Sequence, residues 1–500
     1  MGIFSKVWLF FLFTTGLQAQ PVIQWSQPFG SKNQPEWLGV QQGRYYFAQL
    51  SKDSGVQVWA YASDGRQLCR SAQDPKAFGK SVDYKWTSLK QDGPVHYFYE
   101  DIKKEGLRLA GLGTADGCAP LAAPEPLSKP GEMNFYSFYR TATSPNGDFK
   151  IKYFDFITTK GGLLHYMVLD KNGKVATFDS YNFGSLKGVL TEAFVDNTGS
   201  PYLLLRNYRL KKDREPGQAE QYSVWVKLEK GQEPKVFPLD YPNLQLAGVD
   251  VLPSPGNGFF LAGFAYPFEG DPKHLIPREV VTSSMDIRNN NKEVLATQLF
   301  LFEYNTEKSE LVKKMETGVP AHLLFDTAKN KAEDLIPYAI RQVYPLEQGG
   351  FQLVCEQYQS TRMISGANSN YYFKFYDIAV IETGGTGQTE NVWKFPKRQL
   401  GGPEASVIST RVNNRLHLLY ADLLENQHLA SGEKPALPSG KDEKNGLFIA
   451  SIAGGKLERK EILYAFQEGQ PVPQILRSTV IAPGEVLLMA KEGFGVLKFD

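Results

Sequence analysis

The side chains that could do chemistry in this chain are scattered, and no short motif joins them. The six histidines form no HxH or HExxH pair of the kind that binds zinc. The absence of a CxxC pair argues against a cysteine zinc site. The absence of a GxSxG sequence argues against an α/β-hydrolase nucleophile. The sequence therefore names no catalytic residue, no metal site and no cofactor.

Binding chemistry has better candidates than catalysis. Aromatic faces and planar guanidinium groups bind sugars and peptides. Four residues in or next to long segments between predicted strands suit this role: Arg362, Tyr371, Tyr372 and His428. The alternative interpretation is that they are strand-edge aromatics and solubilising charges. Acid pairs for glycosidase chemistry cannot be chosen from 54 Asp and Glu residues, because a repeat fold brings such pairs together without a local spacing.

The chain has three cysteines, and an oxidising compartment would permit one disulfide between them. Cys69 and Cys118 each closely follow an Asp-Gly turn, so a disulfide between them is one prediction. Cys355 lies in a strand pattern and is predicted to be a buried small hydrophobe.

The composition limits the partners. The net charge is +1, and the aromatic fraction is 13%, mostly Tyr and Phe. Flat aromatic side chains favour strands. A neutral chain without a basic patch is poorly suited to bind phosphate backbones, so we expect no nucleic-acid partner.

The first residues have the pattern of a secretory signal. Lys6 precedes the apolar segment 7–13, and Leu17-Gln18-Ala19 offers a cleavage site, so we predict a signal peptide over 1–19. No later run of about 18 apolar residues occurs, so we expect no transmembrane segment. The protein is therefore expected to be secreted or periplasmic and monomeric.

A strand–turn rhythm repeats along the rest of the chain. Runs of alternating apolar residues are separated by tight turns such as Ser63-Asp64-Gly65 and Gly384-Gly385. Repeated four-stranded units are typical of a β-propeller. We predict an all-β fold, a single closed propeller over 20–500. Eight four-stranded blades fit the spacing best, and seven is the alternative. The segment 22–25 would supply the strand that completes the last blade.

The long connections fall mostly between second and third strands of units four to seven. They are predicted at about 210–220, 267–295, 359–370 and 424–445, and another at 319–335 precedes the sixth unit. Connections of these two types open on the same face of a propeller. Because binding usually resides in loops on a rigid scaffold, this face is the predicted binding face, with solvated embellishment as the alternative.

The C-terminal third, over about 340–500, contains a series of short motifs in this order: Cys355-Glu356-Gln357-Tyr358, Tyr371-Tyr372, Asp377-Ile378-Ala379-Val380-Ile381, Trp393-Lys394-Phe395-Pro396-Lys397-Arg398-Gln399, and Leu418-Leu419-Tyr420-Ala421-Asp422 with Asn426. This series resembles that of a family of uncharacterised secreted proteins from Bacteroidota-type bacteria, except that Ala421 stands where the family more often has Asn. The resemblance implies a secreted propeller and carries no known activity.

Three functions are compatible with these observations. The first is a secreted or periplasmic binding or scaffold protein that presents loops to a protein or glycan. The second is a polysaccharide-active enzyme, a glycosidase or lyase, with carboxylates on the same face. The third is a component of a larger envelope assembly.

Overall fold

The computed structural model describes residues 21–499 with internal gaps. The gaps are 32, 52–54, 74–81, 90–94, 102–105, 113–124, 127–139, 159–160, 172–173, 184–187, 210, 269–278, 283–294, 326–335, 366–367, 403–404, 431–432 and 437–444. The predicted signal peptide and Cys118 lie outside the described residues.

The first half of the chain forms one short strand and then four sheets in chain order. The strand is β1 (Gln24–Trp25). Sheets 1 to 4 each contain four consecutive antiparallel strands. Sheet 1 contains β2 (Glu36–Gln41), β3 (Arg44–Ser51), β4 (Gly55–Tyr61) and β5 (Gln67–Gln73), and sheet 2 contains β6 (Val82–Leu89), β7 (Val95–Asp101), β8 (Gly106–Leu112) and β9 (Glu125–Pro126). Sheet 3 contains β10 (Arg140–Thr143), β11 (Lys150–Thr158), β12 (Gly161–Leu169) and β13 (Val175–Asn182), and sheet 4 contains β14 (Gly188–Val195), β15 (Pro201–Tyr208), β16 (Gln221–Lys227) and β17 (Lys235–Leu239).

The second half forms four more sheets, of which sheets 5 and 6 have more than four strands. Sheet 5 contains β18 (Leu244–Leu246), β19 (Asp250–Ser254), β20 (Gly258–Pro267), β22 (Gln298–Asn305) and β23 (Glu310–Gly318). Sheet 6 contains β21 (Glu279–Thr282), β24 (Tyr338–Pro345), β25 (Phe351–Ser365), β26 (Asn368–Thr383), β27 (Thr389–Phe395) and β28 (Gln399–Leu400). Sheet 7 contains β29 (Val407–Val412), β30 (Arg415–Leu423), β31 (Asn445–Ala453) and β32 (Lys456–Ala465). Sheet 8 contains β33 (Thr479–Ala482), β34 (Glu485–Met489), β35 (Phe494–Lys498) and β1.

The described sheets pack face to face in chain order, which is the arrangement of a β-propeller. Apolar cores lie between sheets 3 and 4, 4 and 5, 5 and 6, 6 and 7, 7 and 8, and 8 and 1. The alternation of apolar residues along each strand supplies one side chain to each neighbour, because successive residues point to opposite faces. The predicted all-β propeller is confirmed. The prediction that every unit has four strands is wrong for sheets 5 and 6, which acquire strands from insertions and connections.

The ring closes through its N-terminal strand, as predicted. β1 pairs antiparallel with β35, with Gln24 opposite Val496 and Trp25 opposite Gly495. The chain then passes the turn after β4, where the Gln27 N–H donates to the Gly65 carbonyl at 2.9 Å. Gly65 has a φ of +78°, and a Cβ there would lie 2.8 Å from the Ser26 Cα, so this turn needs glycine.

The two faces of the propeller differ in their connections. We call "insertion face" the side that holds connections between second and third strands and between consecutive sheets. The other side, the turn face, holds the short turns, apart from the longer 113–124 connection. On the turn face the turns of sheets 3, 4 and 5 bind one another. The Asn146 N–H donates to the Asn197 side chain at 2.9 Å, and Asn197 donates to the Asn257 side chain at 2.9 Å.

One predicted loop on the insertion face is instead a β-hairpin. The segment 359–370 was expected to be an irregular connection, but β25 and β26 continue through it and pair up to Ser365 and Asn368. β21, from the 267–295 insertion, adds to this hairpin as a parallel strand. The hairpin therefore extends sheet 6 beyond the length of its neighbours.

Helical structure is brief in the described part of the chain. It consists of α1 (Ala321–Leu324) and the 3-10 helices Lys211–Asp213, Leu424–His428 and Ile475–Arg477. None of the described helices is long and apolar enough to cross a membrane.

Candidate functional site

The hairpin of sheet 6 brings three of the four predicted binding residues together. Arg362 in β25 lies directly opposite Tyr371 in β26, and Tyr372 lies opposite Thr361. β21 pairs Val281 with Arg362 on the other side. The side chains of these residues are outside the described part of the structure, so it is their backbone positions that are known.

His428 lies apart from that group. It ends the 3-10 helix Leu424–His428 after β30 of sheet 7, and it is exposed. None of the described contacts joins His428 to the hairpin. Its role as a binding residue therefore stays a prediction.

A buried charge cluster lies where the hairpin of sheet 6 leaves the body of that sheet. Its centre is Glu356 in β25, whose side chain is fully buried. Its Oε1 accepts a hydrogen bond from the Lys397 Nζ at 2.6 Å. Its Oε2 accepts from the Ser406 Oγ at 2.7 Å and from the Arg341 Nε at 2.9 Å. Lys397 is also fully buried, and its Nζ donates to the Gln399 Oε1 at 2.7 Å.

Local backbone irregularities position these side chains. β24 bulges at Arg341, between Ile340 and Gln342, and β25 has a second irregularity between Glu356 and Tyr358. A bulge rotates a side chain away from the regular alternation of its strand. Arg341 on β24 is thereby aimed at the carboxylate of Glu356 on the neighbouring strand.

The connection from sheet 6 to sheet 7 supplies the other partners of Glu356. Lys397 and Ser406 both lie in this connection, between β27 and β29. Ser406 has a φ of +87°, which is unusual for any residue other than glycine. Its strained backbone is held by two hydrogen bonds, because its N–H donates to the Gln399 Oε1 at 3.0 Å while its hydroxyl donates to Glu356.

Asp377 is the centre of a second group of ion pairs, next to the Glu356 cluster. It lies in β26, forms an ion pair with the Lys394 Nζ at 2.9 Å and accepts a hydrogen bond from the Arg398 Nη1 at 3.2 Å. The backbone N–H of Lys397 donates to the same carboxylate at 3.2 Å. The guanidinium of Arg398 also lies 4.7 Å from the Tyr376 ring centroid. The connection after β27 is thus attached to both long strands of the hairpin.

The electrostatics of Glu356 exclude it as a proton donor. Burial raises the pKa of this carboxyl, but the charges of Lys397 and Arg341 and the hydrogen bonds from Lys397 and Ser406 together lower it below its ordinary value. Burial also lowers the pKa of Lys397, and its contact with Glu356 opposes that change. Glu356 is therefore an ionised acceptor that organises its neighbours.

Asp422 differs from Glu356 in its surroundings. It lies near the end of β30, and its Oδ1 accepts hydrogen bonds from the Leu423 N–H at 2.9 Å and the Asn426 Nδ2 at 3.0 Å. The Asn426 Oδ1 accepts from the Ala436 N–H at 3.0 Å, which fastens the far end of the insertion. Burial raises the pKa of Asp422 to about 6, and Asn426, Leu423 and the charges of Lys397 and Lys460 oppose the shift.

The described carboxyls bear on the enzyme alternative. A glycosidase needs one carboxyl that holds a proton and a second that is free to act as base or nucleophile. Glu356 and Asp377 are both occupied by cationic partners. Asp422, whose pKa burial raises to about 6, is mostly ionised at neutral pH, and its carboxylate is occupied by Leu423 and Asn426. These three residues do not form a free acid–base pair.

His165, His417 and Cys355 have structural roles. His165 and His417 lie in strands, as expected, and hydrogen-bond to Ser180 at 2.6 Å and Ser451 at 2.9 Å. Cys355 is a fully buried free thiol, as predicted. Cys69 is disulfide-bonded, while its predicted partner lies outside the described residues. Within the described ranges, no group of three or more His, Cys, Asp or Glu side chains is placed to hold a metal ion.

The sequence analysis named most of these charged and polar residues as members of short motifs but did not predict their contacts. Glu356, Asp377, Lys397, Asp422 and Asn426 all belong to the series that carries the family resemblance. Nothing in their spacing indicated that they would meet. Arg341 and Ser406 had no sequence signal, because their positions depend on a bulge and on a left-handed backbone conformation.

The comparisons with known proteins add no identity. No protein-family model matches the sequence. No curated protein matches it significantly. The resemblance to the Bacteroidota-type secreted family therefore stays a prediction.

Solved structures give distant matches. The WD40 domain of SCAP from fission yeast is 9% identical, with 96% of this chain and 98% of that chain covered, at a TM-score of 0.39. Prolyl oligopeptidase B from Galerina marginata is 9% identical, with 93% of this chain and 55% of that chain covered, at a TM-score of 0.34. A Synechocystis apocarotenoid oxygenase is 12% identical, with 95% of each chain covered, at a TM-score of 0.30. At such TM-scores the matches carry no argument about function, and the propeller assignment rests on the strand topology.

Proposed function

We propose that this protein is a secreted or periplasmic binding or scaffold protein that holds a protein or glycan partner on its insertion face. The observation that carries the proposal is the contrast between the two faces. The insertion face of sheets 4 to 7 bears the long segments, and the turn face bears mostly short turns. Loops held by a rigid scaffold are the usual place for binding.

The long segments are anchored where the structure describes them, which supports binding by a preorganised surface. In sheet 4 the Arg209 guanidinium pairs with Asp240 and lies 3.8 Å from the Tyr222 ring centroid. In sheet 6 the Glu356 cluster fixes the base of the hairpin. In sheet 7 Asp422 and Asn426 hold the insertion that follows β30. Preorganisation lowers the entropic cost of binding, so such anchoring favours affinity.

The proposal is tested with a hairpin variant and a turn-face control. The hairpin variant replaces Arg362, Tyr371 and Tyr372 by alanine. The control replaces Lys230 and Glu307, two exposed residues in turns of the opposite face, by alanine. The full mature chain is applied to a glycan array and to immobilised envelope proteins.

The expected result is that the hairpin variant loses the signals given by the wild type while the control keeps them. Thermal unfolding of both variants confirms that they are folded. Equal signals from the wild type and the hairpin variant would place binding elsewhere. No signal from the folded wild type on either surface would contradict the proposed function itself.

A further inference from the structure

The Glu356 cluster has more positive than negative charge. Lys397 and Arg341 are two cations that share the single carboxylate of Glu356. The other hydrogen-bond acceptor of the Lys397 Nζ, Gln399, is neutral, and Asp422 acts on the charge of Lys397 without forming an ion pair with it. Neutralisation of Arg341 is therefore incomplete, because the same carboxylate also serves Lys397. A charge in a buried setting is screened less than one in water.

Arg341 is the end of this cluster that reaches solvent. Glu356 and Lys397 are fully buried, whereas the Arg341 side chain is 29% exposed. Its Nε and Nη2 are directed at Glu356, and its Nη1 makes no hydrogen bond with any described residue. The guanidinium lies 4.5 Å from the Tyr358 ring centroid, which holds its plane in position. An oriented guanidinium edge with unused donors suits a carboxylate, which accepts two parallel hydrogen bonds.

Aromatic rings continue from Arg341 along the hairpin. Tyr358 stacks on Phe375 with ring centroids 6.1 Å apart, and Phe375 stacks on Phe373 at 6.4 Å. Phe375 is buried, while Phe373 at the outer end is 39% exposed. Flat apolar rings beside a guanidinium combine the two contacts that an acidic sugar offers, an apolar ring face and a carboxylate.

We propose that Arg341 is an anion-binding residue that receives the carboxylate of an acidic, uronate-containing glycan on the insertion face. The inference rests on the proposed function and specifies its ligand class. The Nη1 edge of Arg341 binds the carboxylate, and the half-buried Tyr358 and exposed Phe373 flank the sugar rings. Glu356 and Lys397 act as positioning residues that hold the guanidinium.

Arg140 in sheet 3 provides a matched control. It lies fifteen residues before Asp155, as Arg341 lies fifteen residues before Glu356. Its guanidinium lies 5.0 Å from the Tyr153 ring centroid, and its side chain is 33% exposed. Asp155 serves no second cation in the described contacts, and the Nη2 of Arg140 donates to the Thr191 carbonyl. Arg140 is thus similar in setting but already neutralised and occupied.

The test measures affinity by calorimetry for three probes of similar length. These are a galacturonic acid hexamer, a neutral glucose hexamer and a glutamate hexapeptide. We expect the wild type to bind the galacturonate hexamer most tightly, with an affinity that falls as salt is raised. Arg341→Gln should weaken this binding about tenfold or more, as expected for loss of a charged hydrogen bond. Arg140→Gln should leave it unchanged.

A second variant guards against a folding defect. Arg341→Lys keeps the charge next to Glu356 but loses the planar fork, so its loss of affinity should be smaller than that of Arg341→Gln. The inference is overturned if Arg341→Gln binds as the wild type does, if both Gln variants lose equally, or if the wild type does not bind the galacturonate hexamer. Tighter binding of the glutamate peptide would assign the site to an acidic protein instead. If the hairpin variant abolishes binding of neutral glycans or proteins on the arrays, the proposed function stands although this inference has failed.

Discussion

At the scale of single residues, the charges of sheet 6 serve structure first. Glu356 is fully buried and joins two strands to the connection between sheets 6 and 7 through Arg341, Lys397 and Ser406. A buried ion pair gives little net stability compared with apolar residues, but breaking one by removing a single partner is costly. The value of such a cluster is therefore the fixed geometry of its members.

Glu356→Gln is predicted to destabilise the protein strongly. The amide preserves the shape but leaves Lys397 buried without a carboxylate, which costs about 3–5 kcal/mol in comparable pairs. Denaturant unfolding of the variant and wild type measures this difference. The matched control is Glu485→Gln, which breaks the exposed pair with Lys498 and should cost less than about 1 kcal/mol. Similar losses in both variants would show that burial of the pair is unimportant.

The raised pKa of Asp422 should make the free energy of unfolding depend on pH in a specific way. Its ordinary pKa is 3.8, and burial raises it to about 6 in the folded protein. Between those values the unfolded chain releases its proton while the folded chain keeps it. The contribution of Asp422 to the free energy of unfolding therefore falls as pH rises from about 4 to about 6, by about 3 kcal/mol at most.

Asp422→Asn tests this dependence, because the amide stays neutral at every pH. The stability difference between variant and wild type should be near zero at pH 4 and favour the variant above pH 6. Taking the difference cancels the titration of shared groups that do not interact with Asp422. The neighbouring Lys397, Lys460 and Tyr420 do not cancel fully, because the charge of Asp422 raises the pKa of each. A difference that does not change with pH would contradict the account.

The burial of a residue was easier to predict from the sequence than its long-range contacts. Cys355 in a strand pattern was predicted to be a buried hydrophobe, and it is, because local alternation decides burial. Glu356 and Lys397 are 41 residues apart, and their contact arises only when β25 and the connection after β27 meet. A long-range pair of this kind leaves no local pattern.

At the scale of elements, the sequence predicted turns better than long segments. The Asp64-Gly65 turn lies between β4 and β5, as its residue types require. The segment 359–370 was wrongly predicted to be a loop. Its polar stretch hides the fact that residues on both sides continue one antiparallel pairing from Phe351 to Ser365, with an irregularity between Glu356 and Tyr358. The addition of β21 from a distant insertion could not be predicted, since parallel pairing carries no turn signal.

We expect deletion of β1, the strand that closes the ring, to destabilise the protein. Removing residues 20–25 deletes β1 and exposes the edge of β35. Exposed edges pair with other chains, so the truncated protein should unfold at a lower temperature and self-associate. Differential scanning fluorimetry and light scattering measure both effects. Val22→Ala, a change at an exposed position of the same segment, should behave as wild type. An unchanged melting temperature in the truncated protein would mean that β1 does not contribute to closure.

At the scale of the whole molecule, the two faces of the propeller differ in the length and anchoring of their connections. The repeat predicted the propeller and the sheets that carry insertions, because strand and turn signals recur at regular intervals. It did not indicate that the inserted segments would be fastened by buried charges. The turn face, with its turns bound to one another through Asn146, Asn197 and Asn257, serves as the internal reference.

Hydrogen–deuterium exchange with and without the galacturonate hexamer shows which face of the propeller binds this ligand. Binding on the insertion face should slow exchange in the β25–β26 hairpin and in the connection that carries Lys397 and Ser406. Exchange in the turns at Asn146, Asn197 and Asn257 should not change. Protection at those turns, with none on the insertion face, would contradict the account.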